Sequence, residues 1–249
     1  MLRILNWILN RLIMVVLLMA VLYSIYSLWD NNQFYQEGLD LKVKLRNLKP
    51  KGRKPSFDEL RKINPDVVAW ITLDGTKIDE PIVQGKDNME YLNKNVYGKY
   101  SMAGTVFLDH RCSKNFQDPY SIVYGHHMEK HLMFGDLDLY QKPDFIQKHH
   151  TGILMIPGKK YPVHIFASML VKSTDSYIFD PNLYQSNKSK FLSYVEKKSI
   201  WVQDGVLKTL ENTGSQYSVL ALSTCFSTGD DRTVVLAWYQ KSKLINRKE

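Results

Sequence analysis

The chain has 249 residues, of which 44% are hydrophobic and 12% aromatic, which excludes a disordered protein and suffices for one globular domain with appendages. Its formal net charge of +8 suits nucleic acid, an anionic membrane surface or a polyanionic cell wall as partner. Nucleic acid is the least supported of these, because the sequence has no zinc-finger spacing, no glycine-rich phosphate loop and no basic-aromatic stripe.

An apolar segment lies close to the N-terminus. Leu12–Trp29 contains no charged residue and is near the lower length limit for a helix that spans a bilayer of roughly 30 Å. Arg3 and Arg11 precede the segment and Asp30 follows it, which predicts a cytoplasmic N-terminus and an external remainder. A cleaved signal peptide is the alternative, but no small-residue cleavage site follows the run. We expect residues 1–31 to be a cytoplasmic stub and a single-pass membrane anchor.

Two further segments separate the apolar run from the main domain. Residues 32–49 mix apolar and charged side chains and predict a helical stalk that ends before Pro50. The basic stretch Lys49–Pro55 contains proline and glycine and is typical of a linker. We therefore assign residues 32–55 to a stalk and linker, and residues 56–249 to the globular domain.

The globular domain reads as mainly β with flanking helices. Eight short apolar, β-branched runs begin at Val67, Lys77, Thr105, Ser121, Gly152, Tyr161, Tyr217 and Thr233. Short strands at irregular intervals predict a closed or nearly closed β-barrel. The long connection before the strand at Tyr217 contains a segment from Ser186 that places Phe191, Leu192 and Val195 on one helical face.

The chain has two cysteines, Cys112 and Cys225, which are too few for a disulfide scaffold. A free thiol in an exported chain indicates cysteine chemistry. Cys225 ends one predicted strand and Arg232 begins the next, so an antiparallel pair would put both at the same end of the sheet. His126 follows another predicted strand in the same way. Reactive side chains at strand ends are typical of a site on a barrel rim.

These residue types suit nucleophilic catalysis. A thiol with a pKa of about 8.5 needs a nearby cation or base, histidine accepts and donates protons, and arginine stabilises a carbonyl oxygen that gains charge. Each residue also has an ordinary interpretation. Cys225 could be a small buried hydrophobe, His126 a turn residue, and Arg232 an ion-pair partner of Asp230 or Asp231. Only their combination favours catalysis.

Two motifs make a resemblance specific. The sequence LSTC, Leu222–Cys225, followed by Arg232 and a strand, resembles the signature of the sortase family, and YGHHM, Tyr124–Met128, resembles its histidine motif. The order of anchor, histidine, cysteine and arginine also matches, and the similarity runs from about Ser56 to Tyr239. N-terminal helices before the barrel and a helix in the long connection make the chain most similar to class B sortases.

The resemblance implies an eight-stranded sortase-type β-barrel and a membrane-anchored transpeptidase on a Gram-positive type cell surface. Such enzymes cleave a C-terminal sorting motif of a secreted protein through a thioacyl-enzyme and join the new carboxyl end to an amine. The family implies Cys225 as nucleophile, His126 as proton carrier and Arg232 as the group that holds the substrate backbone or the oxyanion. Thr224 and Ser223 are the expected substrate contacts, and no cofactor or metal is expected.

The chain departs from some class B enzymes in one respect. Phe226 and Ser227 follow Cys225 where those enzymes carry an acidic residue, so we assign no carboxylate to the site. The sequence also lacks an aspartate-proline-aromatic lid motif before the barrel, so no autoinhibitory lid is expected.

Three other functions stay open at this point. A papain-like hydrolase would use the same nucleophile and base, but cysteine normally precedes histidine in those families. A metalloenzyme would use the histidines that cluster after His126, but the HExxH pattern and an acidic ligand are missing. A non-catalytic, membrane-tethered adhesin or pilus accessory protein would have a buried, inert Cys225.

The sequence does not distinguish the sorting motif, nor whether the acceptor amine belongs to the cell wall or to a pilin lysine, as in a class B pilin polymerase. We expect the loop from Asp109 to Tyr120 and the helix from Ser186 to form the groove walls. Cys112 is expected to be an unreactive bystander.

Overall fold

The computed structural model describes residues 2–128, 130–213, 216–225 and 229–241 of the chain. The chain forms two compact units, one that ends at Val43 and one that begins at Lys44. Helix α1, Leu2–Asn47, contains the segment Leu2–Asp30, which is long and apolar enough to cross a membrane. A membrane anchor and a signal sequence both fit this segment. The helix ends before Pro50, as predicted.

The second unit is built on short strands. In the described part of the chain these are β1 Val67–Leu73, β2 Asp79–Val83, β3 Phe107–Leu108, β4 Tyr120–His126, β5 Thr151–Ile156, β6 Lys159–Lys172, β7 Trp201–Val202, β8 Tyr217–Cys225 and β9 Asp231–Gln240. All eight predicted strands are present, because each is a β-branched or aromatic run that fits a pleated, buried surface. The sequence does not predict β7, since two residues show no alternation.

Eight of these strands close a barrel. The hydrogen-bonded order is β5-β1-β2-β3-β4-β8-β9-β6-β7, and β5 also pairs with β6. Strand β6 is long enough to pair with β5 through its first half and with β7 at Ala167 and Ser168. The predicted closed β-barrel is therefore confirmed, with β7 as an addition outside the closed ring.

Short helices flank the barrel. They are α2 Asp58–Ile63, a 3₁₀ helix Gly135–Gln141, α3 Pro143–Lys148, α4 Ser176–Phe179, α5 Pro181–Ser186, α6 Lys188–Lys198 and α7 Val206–Asn212. The predicted helix from Ser186 is α6, and its three apolar side chains are buried as expected. Phe191 packs edge-on against Tyr120 of β4, with ring centroids 5.1 Å apart. Burial of such a side chain contributes about 2–3 kcal/mol, which fixes the helical connection on the barrel wall.

Candidate active site

The end of β4 lies beside the end of β8. The two strands are parallel, and their register pairs Gly125 with Thr224 and His126 with Cys225. Neighbouring strands in a sheet are roughly 4.8 Å apart, so the backbones of the predicted proton carrier and the predicted nucleophile are direct neighbours. The side chain of Cys225 lies outside the described atoms.

Arg232 is the second residue of β9, the strand on the other side of β8. Strands β8 and β9 are antiparallel and pair from Tyr217 with Gln240 to Ser223 with Val234. Cys225 and Arg232 each lie two residues beyond the last of these pairs, so both stand at the same end of the two strands. The sequence left open whether the three strand ends coincide; the register brings the backbones of all three predicted residues to one end of the barrel.

The backbone holds the Arg232 side chain. Its Nη1 donates to the carbonyl oxygens of Gly229, at 2.9 Å, and Asp231, at 3.1 Å. The carboxylate of Asp231 lies 2.8 Å from Lys172 Nζ across β6 and β9. The half-buried Arg232 also lines a pocket together with Ser223 and Thr224 of β8, and a cation there can stabilise a developing negative charge.

His126 is half-buried, and its Nδ1 is fully enclosed without a hydrogen bond to any described residue. Burial lowers the pKa of His126 below its ordinary value. The imidazole is therefore mainly neutral at pH 7 and able to accept a proton.

The segment after His126 folds back under β4. Phe134 N donates to His126 O at 3.0 Å, and the Phe134 ring lies so close to Gly125 that a Cβ there would come within 2.6 Å of its Cγ. Only glycine fits before the histidine. His127, the second histidine of the YGHHM motif, has its Nε2 2.6 Å from Asp138 Oδ2.

A pocket of about 310 Å³ opens beside these strand ends. It is lined by Asn88, Leu92, Phe107, Arg111, Tyr124, Ser173, Phe179, Ser223, Thr224 and Arg232. The lining includes the two predicted substrate contacts, Ser223 and Thr224, both of which are buried. Thr224 Oγ1 accepts a hydrogen bond from Thr233 N at 3.1 Å, so its side chain is fixed.

A buried carboxylate organises one wall of this pocket. Asp109 is 0% exposed and accepts hydrogen bonds from Arg111 Nε at 2.9 Å and Nη2 at 2.7 Å. Asn88 Nδ2 and the Tyr124 hydroxyl donate to its Oδ2 at 2.9 and 3.1 Å. Burial alone would raise the pKa of Asp109, but the hydrogen bonds from Arg111 and Asn88 outweigh it and lower the pKa. The charged carboxylate thus holds three pocket-lining side chains.

Arg111 extends this network to the opposite wall. Its Nη2 also donates to the Phe179 carbonyl oxygen at 2.7 Å, and the rings of Phe179 and Tyr124 stack with centroids 6.2 Å apart. The loop from Asp109 therefore contributes to the pocket, as predicted. The described lining includes Ser173 and Phe179 of the preceding segment and no residue of α6, so the contribution of the helix from Ser186 to a groove wall stays a prediction.

The histidines of the metalloenzyme alternative have other partners. His127 is paired with Asp138, and His131 Nδ1 lies 2.5 Å from Asp136 Oδ1. Within the described residues, no group of three or more histidine, cysteine, aspartate or glutamate side chains is arranged to hold a metal ion.

Similarity to known proteins agrees with this geometry. No protein-family model matches the chain. Sortase B of Staphylococcus aureus is 32% identical over 189 residues, which are 74% of each chain. A Streptococcus pyogenes class B sortase involved in pilus biogenesis is 40% identical, with a TM-score of 0.66, and the match covers 74% of this chain and 97% of that one. For sortase B from Bacillus anthracis the identity is 28%, the TM-score is 0.72, and 84% and 99% of the two chains are covered. The chain belongs to the class B sortases.

Proposed function

We propose that this protein is a membrane-anchored cysteine transpeptidase that cleaves a C-terminal sorting motif of secreted proteins and transfers the acyl group to an amine. The observation that carries the proposal is the pairing of His126 with Cys225 across β4 and β8, with Arg232 at the same end of β9, the strand that pairs with β8 on its other side. This arrangement supports the proposal, because residues that can act as nucleophile, base and cation in acyl transfer stand at neighbouring strand ends, and Arg232 also lines the pocket.

In the first half-reaction, neutral His126 accepts the proton of the Cys225 thiol, and the thiolate attacks the carbonyl carbon of the scissile peptide bond. Arg232 stabilises the oxyanion of the tetrahedral intermediate, or holds the adjacent backbone carbonyl of the substrate. The C–N bond breaks, protonated His126 gives its proton to the leaving amine, and a thioester remains on Cys225. Ser223 and Thr224 line the pocket beside the thioester and contact the backbone of the bound motif.

In the second half-reaction, an amine attacks the thioester carbon. Neutral His126 accepts the proton of the attacking amine, the new amide bond forms, and the C–S bond breaks to regenerate the Cys225 thiolate. The lowered pKa of His126 favours its role as acceptor in this step. A hydrolase would use water in place of the amine, so the identity of the acceptor separates the two functions.

The N-terminal helix supports attachment to the membrane. With Arg3 and Arg11 on its N-terminal side, the segment Leu2–Asp30 would cross the bilayer once and leave the catalytic unit outside the cell. Secreted proteins then meet the pocket at the surface where they emerge, and the cell wall or a pilin supplies the amine.

A pilin lysine is the second candidate acceptor. The Streptococcus pyogenes class B sortase that is 40% identical to this chain is described as involved in pilus biogenesis. If this protein polymerises pilins, it should prefer the ε-amine of a lysine over an amine of the cell-wall peptide.

The test uses the full-length chain in detergent and a panel of quenched sorting-motif peptides, with and without an amine acceptor. We expect cleavage by the wild type and by Cys112→Ala, the matched cysteine control, but not by Cys225→Ala. Mass spectrometry should detect an amide-linked product with the amine. Equal cleavage rates for wild type and Cys225→Ala on every peptide would contradict the proposal. Cleavage that an added amine does not accelerate would favour a hydrolase.

A further inference from the structure

A side-chain network connects the residues that follow His126 and Arg232 in the chain. His127 Nε2 lies 2.6 Å from Asp138 Oδ2, while Asp138 Oδ1 accepts a hydrogen bond from Thr233 Oγ1 at 2.7 Å. A single carboxylate on the 3₁₀ helix therefore bridges the end of β4 to the beginning of β9.

The network reaches the third strand through the backbone. The described pairs of the β8–β9 ladder end at Ser223 and Val234, one residue short of Thr224 and Thr233. Beyond that point Thr233 N donates to Thr224 Oγ1 at 3.1 Å. Side-chain hydrogen bonds thus continue where the ladder stops, directly before the strand ends that carry Cys225 and Arg232.

Gln141 braces the same junction. Its Nε2 donates to Asp138 Oδ1 at 3.1 Å and to Thr233 Oγ1 at 2.9 Å. The Thr233 hydroxyl therefore donates to one group and accepts from another, which leaves it a single orientation. Thr233 is 4% exposed, and in Asp138→Ala its hydroxyl would still accept the hydrogen bond from Gln141 Nε2.

We propose that Asp138 is a positioning residue for the transpeptidase reaction, which fixes the ends of β4, β8 and β9 relative to one another through His127 and Thr233. This inference rests on the proposed function. The β4–β8 ladder holds His126 beside Cys225, but the described β8–β9 pairs stop two residues short of Cys225 and Arg232. Asp138 therefore adds a tie between β9 and the other two strands, and catalytic groups lose rate steeply when they are misplaced by about 1 Å. Asp138 does not line the pocket, so it acts through the residues that it orients.

A purely structural role makes a different prediction. The His127 and Asp138 side chains are 30% and 44% exposed, so the pair is screened by solvent and contributes little to stability. Loss of the bridge should therefore appear in turnover, with the fold and substrate binding retained.

The experiment compares Asp138→Ala and Thr233→Val with the wild type as full-length chains in detergent. For both variants we expect kcat to fall about 10- to 100-fold on a sorting-motif peptide that the wild type cleaves, with KM within about 2-fold of the wild type. Thr233→Ser retains the hydroxyl and should recover most of the lost turnover. Asp144→Ala, an exposed aspartate at the start of α3, is the matched control and should turn over like the wild type.

A second readout does not depend on peptide cleavage. The alkylation rate of Cys225 by iodoacetamide at pH 7 should fall several-fold in Asp138→Ala, because a displaced cation and base activate the thiol less. If the wild type cleaves the peptide and both variants match it in kcat and in the alkylation rate of Cys225, the positioning role of Asp138 is overturned and the proposed function stands. A wild type that cleaves no peptide would count against the proposed function, and the alkylation rates would still test the positioning role. A loss of kcat that Thr233→Ser does not recover, or one accompanied by unfolding, would also overturn it.

Discussion

His126 and Cys225 are paired across the parallel strands β4 and β8, and Nδ1 of His126 is enclosed without a hydrogen bond to any residue that the structure describes. Burial lowers the pKa of this histidine, so the neutral form persists to a lower pH than in an ordinary histidine. The relationship gives the site a base that is unprotonated and directly beside the nucleophilic strand end.

This relationship predicts the pH dependence of transfer. His126 accepts the proton of the Cys225 thiol, and later that of the attacking amine, only when it is neutral, so kcat/KM should fall as the pH drops through the pKa of His126. Since that pKa is lowered, the midpoint of the acid limb should lie below about 6.5. His126→Asn should reduce kcat/KM by about 10²- to 10⁴-fold. His150→Asn is the control and should show the same acid limb of the pH profile as the wild type. A midpoint at or above 6.5 in the wild type would contradict the assignment of His126 as the base.

The buried Asp109 predicts a large and local effect on stability. Asp109→Asn removes the charge that Arg111, Asn88 and Tyr124 share, and the free energy of unfolding should fall by about 2–4 kcal/mol. Urea unfolding followed by tryptophan fluorescence measures the change.

Asp180 provides the matched control for Asp109. Its carboxylate lies 3.9 Å from Arg111 Nη1, and both side chains are 37% exposed. Asp180→Asn should therefore change the free energy of unfolding by less than about 1 kcal/mol. Equal losses in the two variants would mean that Asp109 does not organise the wall.

The close approach of Phe134 to Gly125 predicts a steric coupling next to the proposed catalytic histidine. In Gly125→Ala the new methyl would meet the Phe134 ring, and we expect a loss of about 1–3 kcal/mol of stability together with reduced turnover. Phe134→Leu should relieve the clash, so the double variant should lose less stability than the sum of the two single variants. Strictly additive losses in thermal or urea unfolding would show that the contact does not constrain this glycine.

The two cysteines should differ sharply in reactivity. Cys112 is buried, and burial raises its pKa to about 12, so it should resist alkylation at pH 8. Intact-mass analysis with iodoacetamide should show one rapid modification in the wild type and in Cys112→Ala, and none in Cys225→Ala. Rapid modification of the Cys225→Ala variant would mean that the assignment of the reactive thiol is wrong.

The barrel strands could be predicted because their signal is local. Runs such as those at Val67 and Tyr217 combine β-branched side chains with turn residues on either side, and they form β1 and β8. The two-residue strand β7 has no such pattern. It exists only because the long strand β6 offers backbone groups to Trp201 and Val202.

The candidate site was only partly accessible from sequence. Cys225, Arg232 and His126 stand at predicted strand ends and within motifs, but the residues around them are assembled by tertiary contacts. Arg111 reaches the Phe179 carbonyl across 68 positions of the chain, and Thr233 reaches Asp138 across 95. A local pattern does not encode such contacts, although an aspartate directly after a predicted strand, as at Asp109, was a usable signal.

The measurement that tests the central claim most directly is the intact mass of the full-length chain after rapid mixing with a sorting-motif peptide that the wild type cleaves. We predict an adduct with the mass of the N-terminal peptide fragment on Cys225 in the wild type and no adduct in Cys225→Ala. An added amine acceptor should speed the loss of the adduct, and the amide-linked product should appear at the same rate. Turnover without any adduct on Cys225, or an adduct that forms equally in Cys225→Ala, would contradict a thioacyl transpeptidase at this site.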